Sequence, residues 1–397
     1  MENGPFMTQR INFDENAGSG IIDSDELEIV SAQSYLLKIP NTLQNMDSRS
    51  TLKTWDTLAV KLTTRAGFQG WGFQCGFGRI MEWLRGFLDT DIFPQIIGQN
   101  ASNHRQWWHD IYLDRLHTGI YGPVLQAVSA PEVAAWDLVA RFLKLPLWKL
   151  LGQESSDRLL CYDTGCGFFG FSPAELVDQV TRSVDQGYRA VKIKIGRDDF
   201  AEDMKRLKTV RQAVGDEVII ATDVNNNWNI QKALRCAPEL AEINIAWLEE
   251  PIYPFDISGH AEICAAITTP VLHGESICEP FMFRDMLAAD AMDIVQPCDM
   301  KLGGISRWLE VAQMARNAGK RIVPAGWTIM QIYQHLAAAT PDCWMVEIFG
   351  DYNHIFQEPI CIKDGEIHVS QSPGAGTAIR DDALEKYAAP SAAATTR

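Results

Sequence analysis

The chain has no run of lysine or arginine longer than two, and its 35 basic residues are outnumbered by 51 acidic ones, a formal net charge of −16. That balance excludes a nucleic-acid groove and docking on an anionic membrane surface as expected partners. An acidic small-molecule substrate fits only where a local cation or metal overrides the global field. No window reaches the roughly 18 to 20 uninterrupted apolar residues of a membrane span. The start, MENGPFMTQRINFDENAGSG, lacks the basic-then-apolar order of a secretory leader. No C-x-x-C pair is present, and the nine cysteines (Cys75, Cys161, Cys166, Cys236, Cys264, Cys278, Cys298, Cys343 and Cys361) are odd in number and scattered. They read as reduced thiols in a cytoplasmic protein. What is there is globular: 46% hydrophobic and 22% charged residues, with glycine and proline near average usage, in a chain of 397 residues long enough for two domains and a sizeable core.

Residues 28 to 63 alternate as two strands (EIVSAQSYLLKIP, then TLAVKLTT) around a polar stretch, Asn41 to Ser50, read as a mobile lid. Helical spacing follows over Ile80 to Leu88, Asn103 to Leu116 and Tyr121 to Leu143. Together these make an α+β first domain over 25–150, after an N-terminal tail over 1–24. From about Leu159 short β-branched runs alternate with amphipathic stretches of ten to fifteen residues. Eight strands are expected at 158–165, 190–196, 217–223, 245–249, 271–275, 293–297, 321–325 and 344–348. The fold class is therefore α/β, a (β/α)8 barrel over 151–370 under an α+β cap, with an open doubly wound sheet as the alternative that strand counting leaves.

Barrel chemistry lies at the C-terminal ends of the strands. There the second strand carries Lys192 and Lys194, the third Asp223, the fourth Glu249 and the fifth Glu275. The acids are spaced 26 residues apart, one βα unit each, which sets them on adjacent strands. Single acids after strands are commonly helix caps or solvated charges; three converging make a metal site, and hard oxygen donors suit Mg²⁺ rather than zinc or copper. Lys192 and Lys194, two apart on a strand, share the inward face. They read either as ion-pair partners of the acids or as a general base, its pKa lowered by a second ammonium and a nearby divalent ion.

KIK at Lys192 to Lys194, ATDVN at Ala221 to Asn225, WLEEP at Trp247 to Pro251, HGES at His273 to Ser276 and KLGG at Lys301 to Gly304 resemble, in order and spacing, the mandelate racemase branch of the enolase superfamily. GFQGWGF (67–73) and WDLVARFLKLPLWKLLG (136–152) resemble its capping domain, and GAGTAI (374–379) its C-terminal segment, so that 371–397 is expected to return to the cap and end in a loose tail. The resemblance implies Mg²⁺ held by Asp223, Glu249 and Glu275, with Glu250 as an outer neighbour; Asn225 is expected close by. It implies that the metal and Lys192 hold a substrate carboxylate while Lys194 removes the α-proton to an enediolate. It also implies a homo-oligomer acting on a small-molecule carboxylate.

The departures matter as much. The family's Asp on strand six is replaced by Cys298, with Asp299 displaced by one, and its His ending strand seven by Ala325. Both members of the Asp-His dyad are missing, which disfavours a two-base racemase. The leading expectation is a lyase that dehydrates a sugar acid to a 2-keto-3-deoxy acid. The alternatives are a racemase, epimerase or cycloisomerase, or a metal-binding scaffold without turnover. The proton for the leaving hydroxyl is expected from Lys194 itself, Cys298, a water or His354, although Cys298 also reads as a small buried hydrophobe. Glu347 on strand eight is expected to hydrogen-bond a substrate carboxylate if protonated. His273 and His335 read as core, and Trp327 and Tyr162 as packing at the rim.

Overall fold

Three antiparallel strands open the fold in the order β1 (Ile29–Pro40), β2 (Thr54–Thr64), β3 (Gln69–Gly76). The computed structural model describes residues 22, 24–41, 47–51, 53–117, 119–152, 156–327, 329–350, 352–390 and 395–396. The alternation reading counts only the first two strands. β3 lies outside that reading although Trp71, Phe73 and Cys75 alternate along it. Gly70 and Gly72 between them have no side chain because a Cβ there would fall 2.1 or 1.9 Å from the carbonyl oxygens of Ala134 and Ala130. Helices α1 (Arg79–Phe87), α2 (His104–Asp114) and α3 (Pro123–Phe142) follow.

α3 is buried over most of its length because it serves two layers, the cap sheet on one side and the barrel on the other. Its Asp137 is fully buried and accepts hydrogen bonds from the Trp71 amide on β3 (2.9 Å), the Ala375 amide (2.7 Å) and the Arg141 guanidinium (3.0 Å). One carboxylate thus ties the cap sheet and the C-terminal segment to one helix. The chain past 371 runs along the cap: Gly374 exchanges backbone hydrogen bonds with Leu145 and Leu147, the Ala389 amide donates to the Leu36 carbonyl (2.8 Å), and Thr395–Thr396 pair with β1.

Between these pieces the chain alternates β4 (Arg158–Asp163), α4 (Pro173–Asp185), β5 (Ala190–Lys194), α5 (Phe200–Val214), β6 (Ile219–Asp223), α6 (Ile230–Glu242), β7 (Ile245–Glu249), α7 (Ile257–Ala266), β8 (Val271–His273) and α8 (Pro280–Ala288). It continues with β9 (Ile294–Val295), α9 (Ile305–Asn317), β10 (Arg321–Ile322), α10 (Met330–Ala338) and β11 (Val346–Ile348). All eight strands lie within the expected segments, and each pairs in parallel with the next from β4 to β10. β11 pairs in parallel with β4, and the Ile322 amide and carbonyl bond Asp342 and Trp344 just before β11 (3.0 and 2.8 Å), so the ring closes. The open-sheet alternative is excluded.

The ring interior is layered. Tyr162, Ala190, Ala221, Trp247, Leu272, Ile294, Val323 and Met345 form a dry plug. Two residues further along their strands, Lys192, Asp223 and Glu249 form a charged layer above it, as strand alternation requires. Tyr162, expected at the rim, lies instead in the plug, edge-on to Trp247 and beneath the Lys192 ammonium (5.7 Å to its ring).

A second carboxylate of α3 locks the cap onto the barrel. Glu132, fully buried, accepts from the amides of Ile305 (2.8 Å) and Ser306 (3.1 Å), the Ser306 hydroxyl (2.5 Å) and the Trp136 indole (2.9 Å). It caps the N-terminus of α9 from another domain, where a negative charge is favoured. Glu132→Ala strands buried donors and is expected to lower stability by about 2–4 kcal/mol. A denaturant midpoint unchanged in that variant would show that the cap-to-barrel contact carries no weight.

Candidate functional site

β-Sheet register sets the site. Lys194 lies opposite Asp223, and Asp223 opposite Glu249, so one row across three adjacent strands carries one ammonium and two carboxylates. The Lys194 ammonium donates to Asp223. Lys192 sits between Glu249 and Glu347, 2.7 Å from each, and 3.6 Å from Asp223. The remaining oxygens are held as firmly: Glu249 accepts from the Trp247 indole (3.1 Å) and Gln296 (3.0 Å), Asp223 from the Asn225 amide (2.8 Å), and Glu347 from Thr164 (2.5 Å) and the Gly326 amide (2.8 Å).

Glu250 follows Glu249 directly and would point to the opposite face of a regular strand. Its φ of +44° breaks the alternation, and both carboxylates reach the same mouth. A left-handed backbone at a glutamate costs about 1–3 kcal/mol, which Asn226 (2.9 Å) and Ser276 (2.8 Å) help to offset by donating to the Glu250 carboxylate. Glu275 comes just after β8 and hydrogen-bonds Glu250.

Above this layer lies a cavity of about 330 Å³. Its floor is Lys192, Lys194, Asn225, Glu250, Glu275 and Glu347; its walls are Trp55, Phe77 and Gln126 from the cap, and Phe168, Lys301, Trp327 and Phe349 from the barrel. Trp55 packs edge-on against Phe349 at 5.0 Å, and Phe77 stacks on Trp327 at 5.8 Å, an aromatic collar built from both domains. Of the stretch read as a lid, residues 42–46 lie outside the described residues; Asp47, Arg49 and Ser50 border the cavity, and the Ser48 hydroxyl donates to the Val224 carbonyl at 2.6 Å.

Five carboxylates (Asp223, Glu249, Glu250, Glu275, Glu347), all but the half-buried Glu275 buried, face two ammonium groups, a formal excess of three negative charges that is held in part as bound protons. Two like charges 4 Å apart repel by about 4 kcal/mol at an effective dielectric of 20. The surplus shows in the acids: burial raises Glu249 to about 8 and Glu250 to about 7, and lifts Glu275 well above the usual range. Against burial, Lys194 and Lys192 hold Asp223 below its ordinary value, and Lys192 does the same for Glu347. Among the described residues no three such side chains stand close enough to grip an ion together, because the lysines occupy oxygens of Asp223 and Glu249 while Glu275 turns to Glu250. The donor set is nonetheless all oxygen, surplus in negative charge and placed on three successive strands, which fits a hard divalent cation.

In the metal-free chain Lys194 has a raised pKa: burial is the largest influence and pushes it down, but Asp223, Glu249 and Glu275 together outweigh burial and Lys192. Two expectations are corrected. Glu347 beside Lys192 is an ionised acceptor that orients that lysine, not a protonated donor. Cys298 does not reach the cavity; it is fully buried, 3.7 Å from the Tyr333 hydroxyl, and burial raises its thiol pKa. Asp299 is buried too, shares Tyr333, and is pushed up to about 6 by burial, so it does not restore the missing Asp. Ala325 is buried and carries no proton.

The histidines are elsewhere. His273 stacks on His260 at 4.3 Å, bonds the Pro254 carbonyl and is lowered to about 3 by burial; His335 is lowered likewise and accepts from the Trp148 amide. His354 is exposed beside Tyr387, outside the cavity. Sequence reading missed Trp55, Phe77, Gln126, Phe168, Phe349 and Lys301 as cavity residues. Lys301 stood in KLGG, read for its resemblance alone, and Arg49 lay in the stretch read as a lid.

Fold and cavity together define a capped (β/α)8 barrel with a charged binding site at the C-terminal ends of its strands. Residues 36–152 match the mandelate racemase / muconate lactonizing enzyme N-terminal domain, and residues 175–383 the enolase C-terminal domain-like family. The chain belongs to the mandelate racemase / muconate lactonizing enzyme family of the enolase superfamily. It is 30% identical to the L-talarate/galactarate dehydratase of Salmonella typhimurium over 82% of this chain and 81% of that one. Identity to the arabinonate dehydratase of Saccharolobus solfataricus is 29%, over 84% and 90% of the two chains. The crystal structure of the Salmonella enzyme with Mg and L-lyxarohydroxamate superposes with a TM-score of 0.88 at 27% identity, covering 93% of this chain and 94% of that one. Racemases, epimerases and cycloisomerases stand among the other relatives.

The raised acids give a signed prediction. Their folded-state pKa values exceed the ordinary 4.5, reaching about 8 for Glu249, so the native state binds more protons than the unfolded chain and metal-free stability falls as pH rises through that window. A divalent cation replaces those protons. The rise in melting temperature on adding Mg²⁺ is expected to be larger at about pH 8 than at about pH 5.5; calorimetry showing an equal rise at both would contradict the charge account.

Proposed function

We propose that this chain is a Mg²⁺-dependent dehydratase of a sugar acid, removing the proton α to a carboxylate and then a β-hydroxyl to give a 2-keto-3-deoxy acid. The observation that carries the reading is the register row of Lys194, Asp223 and Glu249 beneath a single cavity that Lys192, Glu275 and Glu347 also border. The two dehydratases at 30% and 29% identity support it.

Asp223, Glu249 and Glu275 would hold the ion, with Asn225 and Glu250 beside them. When bound, it supplies the positive charge that makes a proton next to a carboxylate removable near neutral pH. This chain's own residues do the rest. An Asp223 carboxylate engaged elsewhere no longer holds a proton on Lys194, and the neighbouring Lys192 charge then favours the neutral amine. Lys192, fixed between Glu249 and Glu347, stays protonated and donates to the substrate carboxylate as negative charge builds there. Trp55, Phe77 and Trp327 keep water from the reacting carbons.

A racemase or cycloisomerase would share the first step, and relatives of both kinds make that the second reading. The reading also takes the chain as a cytoplasmic homo-oligomer, with nine cysteines free of disulfides among the described residues.

The test is a sugar-acid library with Mg²⁺ in deuterated water, comparing wild type with Lys194→Ala. At least one acid should yield a 2-keto-3-deoxy product, with turnover lost by about 10²–10⁴-fold in the variant. Deuterium at the α-carbon of a product that keeps every oxygen would move the assignment to an isomerase. Silence across the library with Mg²⁺ bound would leave a binding protein.

A further inference from the structure

Dehydration needs a proton for the departing hydroxyl, and of the sources expected from the sequence only Lys194 itself and a water remain. Hydroxide is a poor leaving group unless it is protonated as it departs, and Cys298, Ala325 and His354 do not line the cavity. We infer that Lys301 is the proton donor to the departing hydroxyl, acting from the wall opposite Lys194; the inference rests on the dehydratase reading.

Position comes first. In the closed ring β5 is the second strand and β9 the sixth of eight, and second and sixth places in a ring of eight are diametrically opposed. Lys194 ends β5; Lys301 lies on the short helix Asp299–Leu302 that leaves β9. Both border the same cavity. A substrate held between them presents its α-hydrogen to one lysine and the opposite face of its β-carbon to the other.

The Lys301 backbone is held rigidly. Its amide donates to the Cys298 carbonyl (3.1 Å), the Ser129 hydroxyl donates to the Asp299 carbonyl (3.2 Å), and the Trp108 indole donates to the Gly303 carbonyl (2.7 Å). Gly303 has φ +90° and Gly304 φ +126°, and a Cβ at Gly304 would meet the Glu132 carboxylate at 2.2 Å. The KLGG turn is thus clamped by Trp108 of α2 and by Ser129 and Glu132 of α3, the last of which also docks the cap.

Its charge is uncommitted. Lys192 and Lys194 are bound to carboxylates, whereas among the described residues Lys301 makes no ion pair; its ammonium lies 5.1 Å from the centre of the Trp327 ring. A cation over an indole face is held without giving up its protons to an acceptor. The Trp327 indole N–H is itself buried without a partner among the described residues, a second donor beside the same substrate oxygen.

The step balances. Lys194 takes the α-hydrogen as a proton, and the C–H electron pair becomes the new C=C bond. The β-carbon–oxygen bond breaks with its pair going to oxygen, and Lys301 transfers one N–H proton to that oxygen, releasing water. The enol left behind tautomerises to the 2-keto acid. Lys194 ends protonated and Lys301 neutral, and exchange with solvent restores both. Proton and hydroxyl leave from opposite faces, an anti elimination.

The test pairs a sugar acid that wild type dehydrates with its 3-deoxy-3-fluoro analogue, whose fluoride departs without needing a proton. Lys301→Gln should lower kcat on the hydroxy acid by about 100-fold or more, leave kcat on the fluoro acid within about 3-fold of wild type, and leave the melting temperature unchanged. Lys301→Arg keeps the charge but holds its protons far more tightly, so it should not restore the hydroxy acid. Equal losses on both substrates, or rescue by Arg, would assign Lys301 to substrate binding and overturn the inference. Undiminished dehydration in Lys301→Gln would overturn it while the dehydratase reading stands; a wild type that dehydrates nothing ends both.

Discussion

Five carboxylates, four of them buried, and two buried lysines at the mouth of one barrel leave a formal excess of negative charge that bound protons and hydrogen bonds relieve only in part. Much of the rest of the structure accommodates this. The dry plug of Tyr162 and Trp247 lifts the charged layer to the strand ends, where a ligand can reach it. The left-handed Glu250 turns a second carboxylate toward the same mouth, and Asn225, Asn226, Gln296 and the Trp247 indole aim donors at the oxygens. A buried charge cluster of this kind contributes little to stability, since apolar side chains of similar volume would do as well or better. On the proposed function, a cation and an anionic substrate would complete it.

The second dependency is the docking of the cap. Asp137 and Glu132, one turn and a little apart on α3, anchor the cap sheet, the C-terminal segment and the start of α9. That clamp brings Trp55 and Phe77 over the charged layer, so the cavity walls come from one domain and its chemistry from the other. It also sets the KLGG turn, which connects the position of Lys301 to residues with no part in the reaction. Cap packing and site geometry are therefore not separable, and a cap substitution far from the cavity is able to change turnover through the turn.

Much of the fold was legible because the signals were local. Parallel strands buried on both faces read as β-branched runs, and the equal spacing of Asp223, Glu249 and Glu275 carried the βα repeat into the placement of the acids. β3 goes uncounted although Trp71, Phe73 and Cys75 alternate along it; what no local pattern shows is that Gly70 and Gly72 let it approach α3. The cavity walls were not legible: whether Trp55 or Gln126 faces a site depends on how two domains meet. Strand alternation tells that Lys192 and Lys194 share a face but not that register sets the Lys194 ammonium directly on Asp223, an acid that helps to raise its pKa in the metal-free chain. Cys298 stood at a position that resemblance marks as functional, and burial against Tyr333 makes it part of the core.

The central claim, that the surplus charge at the barrel mouth is a site for one divalent cation, is tested most directly by calorimetric titration of metal-free protein with Mg²⁺, beside Glu249→Gln. The substitution keeps shape and removes one charge from the layer. The account predicts one Mg²⁺ bound per chain in the wild type and no measurable binding in the variant, with fold and melting behaviour retained. Unchanged binding in Glu249→Gln, or no binding in the wild type, would contradict it.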